Sequence, residues 1–299
     1  MPRFGRVLTA MVTPFHGDGS LNLDGARRLA RWLQDNGNDG LVVAGTTGEA
    51  PVLTDEERLS LIGAVVESVS IPVIAGTGTN DTAHSVHMTK EASALGAAGI
   101  LAVTPYYNRP SQAGIEGHMR AVCAATTLPV VLYDIPVRTG RKMSTSLLLK
   151  LAREVSNVAA LKDAAGNPAE SAALMAQAPS GFELYSGDDN LTLPFMSIGG
   201  CGVIGVATHW SAEDHQEMFN CWERGDVVGA RRVNARLLES FAFETGDENP
   251  NPLPSKVMMN VLGLDVGEAR LPMGPPPAGL EDRARAVLDN LRAARASAR

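Results

Sequence analysis

Cysteine is scarce in this sequence, long apolar runs are absent, and lysine is far outnumbered by arginine. Only Cys123, Cys201 and Cys221 occur among 299 residues. Three cysteines cannot pair completely and match no metal-ligand spacing, so the expectation is reduced thiols in a cytosolic protein. No segment approaches the roughly 20 apolar residues that a membrane-spanning helix requires. The apolar start, Val7–Phe15, is short, is interrupted by Thr9, Thr13 and Pro14, and lacks a small-residue cleavage pattern. It reads as a first strand rather than a signal peptide, and the expected location is the cytoplasm. Basic charge is in deficit too. With 26 Lys and Arg against 33 Asp and Glu, the net charge of −7 argues against a general binder of nucleic acid or acidic membranes. There is no low-complexity tail and no fixed-period repeat. What remains is an ordinary globular composition, 44% hydrophobic and 20% charged, long enough for one large domain or two ordinary ones.

Eight short apolar runs recur along the chain: Val7–Thr13, Gly40–Gly45, Pro72–Gly76, Gly99–Thr104, Pro129–Asp134, Val158–Asp163, Phe182–Gly187 and Gly202–Val206. Most are continuous rather than alternating, which predicts strands buried on both faces, as in a parallel sheet. Helical spacing fills the gaps. Thr54-Asp55-Glu56-Glu57 is a capping box, and Leu59, Ile62, Val66 and Val69 then share one face. Other helices are expected over Leu23–Gln34, Asp81–Leu95, Gly114–Ala125, Ser144–Val155, Pro168–Ala178 and Leu191–Ile198. A doubly wound open sheet would use the same alternation, but eight units of similar length favour a closed (β/α)8 TIM barrel of the α/β class. After the eighth run the alternation stops. Helices over Ser211–Arg224, Asp226–Phe243, Ser255–Val261 and Leu280–Ala296 read as the end of the barrel and a C-terminal helical appendage, dividing the chain at 1–224 and 225–299.

Barrel enzymes carry their chemistry at the C-terminal ends of the strands. Lys162 is the sharpest signal there, because it alone of five lysines closes an apolar run, Val158–Leu161. Apolar surroundings favour its neutral, nucleophilic amine, which can condense with a ketone to a Schiff base. A strand-end lysine that reaches water or pairs with Asp163 is the plainer alternative. Tyr133 ends the neighbouring run, and its phenol can move a proton beside an imine, with Thr46 and Tyr107 completing a relay. Thr46 and Thr47, between Gly45 and Gly48, make either a turn or a backbone nest for a small carboxylate. Arg138 falls on the rim as a carboxylate clamp or as an ordinary surface arginine. His84 and His87 lie one turn apart with no third ligand in view, and His209 after the last strand has no assigned role.

Gly45-Thr-Thr-Gly-Glu49, Val103-Thr-Pro-Tyr-Tyr-Asn-Arg-Pro-Ser111, Tyr133-Asp-Ile-Pro-Val-Arg-Thr-Gly140 and Leu161-Lys-Asp163 together resemble the dihydrodipicolinate synthases, pyruvate-dependent Schiff-base aldolases. The resemblance runs over essentially the whole chain. It implies that Lys162 condenses with pyruvate, that Thr46 and Thr47 seat the pyruvate carboxylate, and that Gly187 and Ile204 shape that side of the pocket. Tyr133 would pass protons through Thr46 to Tyr107 of an adjacent subunit, and Arg138 would hold L-aspartate 4-semialdehyde. The implied product is 4-hydroxy-tetrahydrodipicolinate, for diaminopimelate and lysine synthesis, made by a homotetramer without metal or cofactor. Two departures flank the pocket: Asp134 stands where Asn is frequent, and Asp163 where Glu is. At the family's lysine-feedback site Asn80 and Tyr106 match, whereas Ala50, Asp55, Arg58 and His84 do not, which implies weak or absent inhibition by lysine. Sugar-acid aldolases of the same superfamily and a catalytically silent pyruvate binder are the competing readings.

Overall fold

The computed structural model describes residues 2–297, and in it the eight apolar runs become eight strands of one closed parallel barrel. The first half carries β1 (Val7–Ala10), α1 (Leu23–Asp35), β2 (Gly40–Val43), α2 (Asp55–Val66), β3 (Val73–Gly76), α3 (Thr82–Ala94) and β4 (Gly99–Val103). It continues with α4 (Gln112–Ala124), β5 (Val130–Asp134), α5 (Pro136–Thr139), α6 (Thr145–Glu154), β6 (Val158–Asp163) and α7 (Pro168–Met175). Next come β7 (Glu183–Ser186), α8 (Thr192–Met196), β8 (Gly202–Gly205) and α9 (Thr208–Glu223). Three helices end the chain: α10 (Val227–Phe243), α11 (Leu253–Val261) and α12 (Leu280–Ser297). Each strand pairs with its sequence neighbours, and β1 closes on β8 through Val7–Val203, Leu8–Ile204 and Thr9–Gly205. Among the described residues no helix is long and apolar enough to cross a membrane.

Closure explains the continuous apolar runs. Alternate residues face opposite ways along a strand. One set, including Leu8, Val42, Ile74, Leu101, Val131 and Ile204, fills the barrel interior. The other, including Val7, Leu41, Val73, Ile100, Leu132, Leu161 and Leu184, packs outward under the helices. Both faces are dry, so neither set needs to be polar.

The helices begin where the sequence provides caps. Thr54 Oγ1 accepts from the Glu57 amide at 3.2 Å, while Glu57 Oε2 accepts from the Thr54 amide at 3.0 Å, completing the expected capping box. The buried face of α2 is turned from the expected one. It is formed by Arg58, Leu61, Ile62, Ala64 and Val65, while Leu59, Val66 and Val69 are only partly covered. Arg58 turns inward because its guanidinium finds the Gly76 carbonyl, 2.8 Å away, at the end of β3. Helix α5 was not anticipated: Pro136 opens it, and Arg138 rides on its single turn.

The C-terminal helices join the barrel through apolar and polar contacts. The outer core continues without a break into Val233, Leu237, Met258, Val287 and Leu291. Lys256 of α11 is buried and meets Glu49 Oε1 at 2.8 Å and the Glu268 carbonyl at 2.7 Å. Glu49 ends the Gly45–Glu49 turn in a left-handed conformation (φ 57°), and its second oxygen accepts from the Arg270 amide at 2.9 Å.

Candidate active site

Strand alternation puts Lys162 inside the barrel. Ala160 and Ala164, two residues to either side, belong to the interior cluster, whereas Leu161 faces the helices. Its register partners are Tyr133 on β5 and Tyr185 on β7, so amine and phenol share one layer at the C-terminal mouth. Lys162 is 4% exposed, and its Nζ stands 4.3 Å from the centroid of the Tyr133 ring. Burial pulls the amine down from 10.5 to about 8, helped by the Arg138 charge and opposed by Asp188, Asp189 and Glu244. Pairing with Asp163 does not occur. That carboxylate points outward, accepting from Ser171 Oγ at 2.5 Å and the Ala165 amide at 2.9 Å.

The Tyr133 phenol is also buried, which raises its pKa well above the ordinary value, while Arg138 and the nearby Thr46 side chain oppose the rise. A phenol held neutral is a proton donor that needs an assisted route to lose its proton. Thr46, Tyr107, Tyr133 and Arg138 line one cavity of about 500 Å³, together with Arg58, Asn80, His84 and Tyr106. Tyr107 stands at its rim, 89% exposed, in a left-handed conformation (φ 72°). Among the described residues no hydrogen bond joins Tyr107 to Tyr133 or Thr46. Lys162, Thr47, Gly187 and Ile204 do not line this cavity. Lys162 lies beyond the Tyr133 ring, Gly187 follows β7, and Ile204 is fully buried within β8.

The turn after β2 suits an anion. Ala44 enters it at φ 56°, and Gly76 is required opposite, where a Cβ would meet the Ala44 carbonyl oxygen at 2.4 Å. Among the described residues the backbone N–H groups of Thr46 and Thr47 have no acceptor, whereas those of Glu49 and Ala50 are taken by the Thr46 and Gly45 carbonyls. Thr47 is buried, and its Oγ1 accepts from Asn251 Nδ2 at 2.8 Å, leaving the hydroxyl proton free to donate. Asn251 was missed as a supporting residue. It sits in the Asn249-Pro-Asn-Pro252 connection, whose regular Pro spacing marks a rigid loop but not what that loop touches.

Other residues differ in what the structure makes of them. His209 gains a structural place: Nδ1 faces the Val206 carbonyl at 2.7 Å and Nε2 accepts from the Val12 amide at 3.1 Å. Both contacts suit a neutral ring, and burial lowers its pKa to about 4. His84 Nε2 meets Asp55 Oδ1 at 2.8 Å. Asp134 is buried beside Asp163 on the outer face, and desolvation raises its pKa to about 7 despite the Met143 amide at 3.1 Å. Lys256 is a second buried amine, which the sequence does not distinguish from a helical surface lysine.

Catalysis in parallel barrels resides at this end, and a desolvated amine inside the mouth marks a TIM-barrel enzyme with a lysine suited to carbonyl chemistry. The comparisons make the assignment narrower. Residues 3–291 match the model of the dihydrodipicolinate synthetase family. A 4-hydroxy-tetrahydrodipicolinate synthase of Moorella thermoacetica is 51% identical over 275 residues, covering 91% of this chain and 92% of that protein. A dihydrodipicolinate synthase structure from Cyanidioschyzon merolae with lysine bound superposes with a TM-score of 0.94 at 39% identity, covering 98% of this chain and 99% of that one. The chloride-inhibited enzyme of Acinetobacter baumannii, complexed with pyruvate, gives 0.91 at 32% identity, with 97% and 99% covered. The chain belongs to the dihydrodipicolinate synthetase family.

Proposed function

We infer that this chain condenses pyruvate with L-aspartate 4-semialdehyde to 4-hydroxy-tetrahydrodipicolinate, in the cytoplasmic route to diaminopimelate and lysine. The observation that carries the reading is Lys162, a buried amine with a lowered pKa over the Tyr133 ring. In this reading Lys162 Nζ attacks the pyruvate carbonyl carbon, water leaves, and an iminium forms. The iminium makes the methyl group acidic, and loss of one proton gives an enamine. The enamine carbon bonds the semialdehyde's aldehyde carbon, and the substrate amine then displaces Lys162 as the ring closes. The unoccupied N–H groups of Thr46 and Thr47 suit the pyruvate carboxylate, with Gly187 and Ile204 closing the far side. Tyr133 and Thr46 move the protons, and Arg138, on the cavity wall, seats the semialdehyde carboxylate. No step calls for a metal or cofactor.

Tyr107 serves the neighbouring subunit's relay, which its 89% exposure supports, and the assembly is a homotetramer. Residues 1–224 form the catalytic unit and 225–299 a helical domain, a division supported by the end of α9 at Glu223. Steady-state rates with aspartate semialdehyde, compared with cleavage of 2-keto-3-deoxy sugar acids, test the substrate assignment; preference for cleavage overturns it. Arg58 and His84 line the cavity beside Asn80 and Tyr106, a setting unsuited to an ammonium. Lysine therefore inhibits weakly, and half-inhibition at sub-millimolar lysine refutes that.

A further inference from the structure

Two buried carboxyls whose charges act on Lys162 converge on the start of α9 with no cation among the described residues in hydrogen-bonding contact. Asp189, in the turn after β7, is 0% exposed, and Glu244, just past the end of α10, is 7% exposed. The turn holding Asp189 packs directly on α10, at whose C-terminal end Glu244 stands. They are anchored by consecutive amides at the start of α9: Val206 N–H donates to Asp189 Oδ2 at 2.7 Å, and Ala207 N–H to Glu244 Oε2 at 2.9 Å. Gly205 makes room, since a Cβ there would meet Asp189 Oδ1 at 2.3 Å. Asp189 Oδ1 is buried with no hydrogen-bond partner among the described residues.

Two adjacent carboxylates in a dry site cannot both ionise cheaply. The N-terminus of α9 favours one negative charge, whereas Glu244 sits at the C-terminal end of α10, where the helix dipole opposes a carboxylate. Among the described residues no neighbouring side chain donates a charge-assisted hydrogen bond to the pair. His209 is neutral. His215 Nδ1 faces the Ser211 carbonyl at 2.9 Å, and its Nε2 stays 3.6 Å from Asp189, too far for a hydrogen bond. Asp188 adds negative charge beside Glu244, and Lys162 and Arg138 are cations of the region. Burial and Asp189 together raise the Glu244 pKa well above the usual carboxylate range.

We propose that Glu244 is a positioning residue for Lys162: it shares one proton with Asp189, so that the pair carries one negative charge instead of two. A second charge would stabilise the Lys162 ammonium and withhold the neutral nucleophile. The C-terminal helices thus reach the reacting amine through a carboxyl that touches no substrate. The role rests on the Schiff-base reading of Lys162, whereas the shared proton does not.

Two measurements test it. Infrared spectra at neutral pH are taken as wild type minus variant, so that the Asp134 carboxyl cancels, and one protonated-carboxyl band appears in the difference with both Glu244→Gln and Asp189→Asn. Its absence from the Glu244→Gln difference overturns the shared proton. The pH profile of pyruvate trapping at Lys162 reads the consequence. Each single variant keeps one charge and shifts the midpoint by less than about 0.3 unit, while the double variant removes the charge and lowers it by roughly one unit. Additive shifts in the two single variants, or no shift in a folded double variant, overturn the proposal. If the double variant does not fold, the infrared comparison of the single variants decides. Failure of the wild type to trap pyruvate refutes the Schiff-base reading and the role assigned to Glu244, leaving the infrared band to judge the proton.

Discussion

Raising the pH should accelerate covalent capture of pyruvate by Lys162, with a midpoint near 8. The magnitude follows from the drop of the amine from 10.5 to about 8, caused first by burial and then by Arg138. At pH 7 an ordinary lysine is neutral in roughly 0.03% of molecules, whereas a group at 8 is neutral in roughly 10%, a gain of about 300-fold, or about 3 kcal/mol. Only the neutral form attacks, so the rate climbs as pH rises through the midpoint and levels off above it. The assay is initial-rate trapping with cyanoborohydride, followed by peptide mass mapping. Lys256 is the internal control. Its amine is also brought to about 8 by burial, but Glu49 Oε1 at 2.8 Å and the Glu268 carbonyl at 2.7 Å clasp it. It should carry no adduct. Modification of Lys256 in place of Lys162, or a midpoint at the value of a free lysine, would refute the reasoning.

Further outcomes follow from the same geometry. Arg138→Ala should still allow pyruvate trapping, with its midpoint moved upward because Arg138 helps lower the amine, but raise the semialdehyde KM by roughly 10- to 100-fold, the worth of a charge-assisted clamp; unchanged KM removes Arg138 from the site. Asp134→Asn should stabilise the protein at alkaline pH. The Asp134 pKa rises on folding from 3.8 to about 7, so the folded chain holds a proton that the unfolded chain has lost, and stability falls as pH climbs through that window. Denaturant melts should show a gain of about 1–3 kcal/mol near pH 8 and little difference near pH 4; equal gains at both refute it. Glu49→Gln leaves Lys256 buried without its carboxylate, 2.8 Å away in the wild type, and should cost about 3 kcal/mol of stability near neutral pH. A change below about 0.5 kcal/mol in urea unfolding would contradict that.

Much of this protein was legible from local signals. Parallel strands dry on both faces leave unbroken apolar runs, capping residues mark helix starts, and a lysine ending such a run stands out in a chain with few lysines. Those signals placed the strands and put Lys162, Tyr133, Thr46 and Arg138 at one end of the barrel, because residues closing parallel strands share an end whatever the side-chain packing. Only the tertiary structure decided what each group faces across the barrel. Arg58 is buried because Gly76 offers a carbonyl on another element, and Lys256 because Glu49 arrives from a turn 207 residues away. Asn251 supports Thr47 across a separation of 204 residues, and Glu244 meets Asp189 from the far helical end of the chain. Periodicity reports only which way a side chain leaves its own element. Burial, charge pairing and proton sharing depend on distances set by closure of the barrel and docking of the last helices, and no local pattern encodes those.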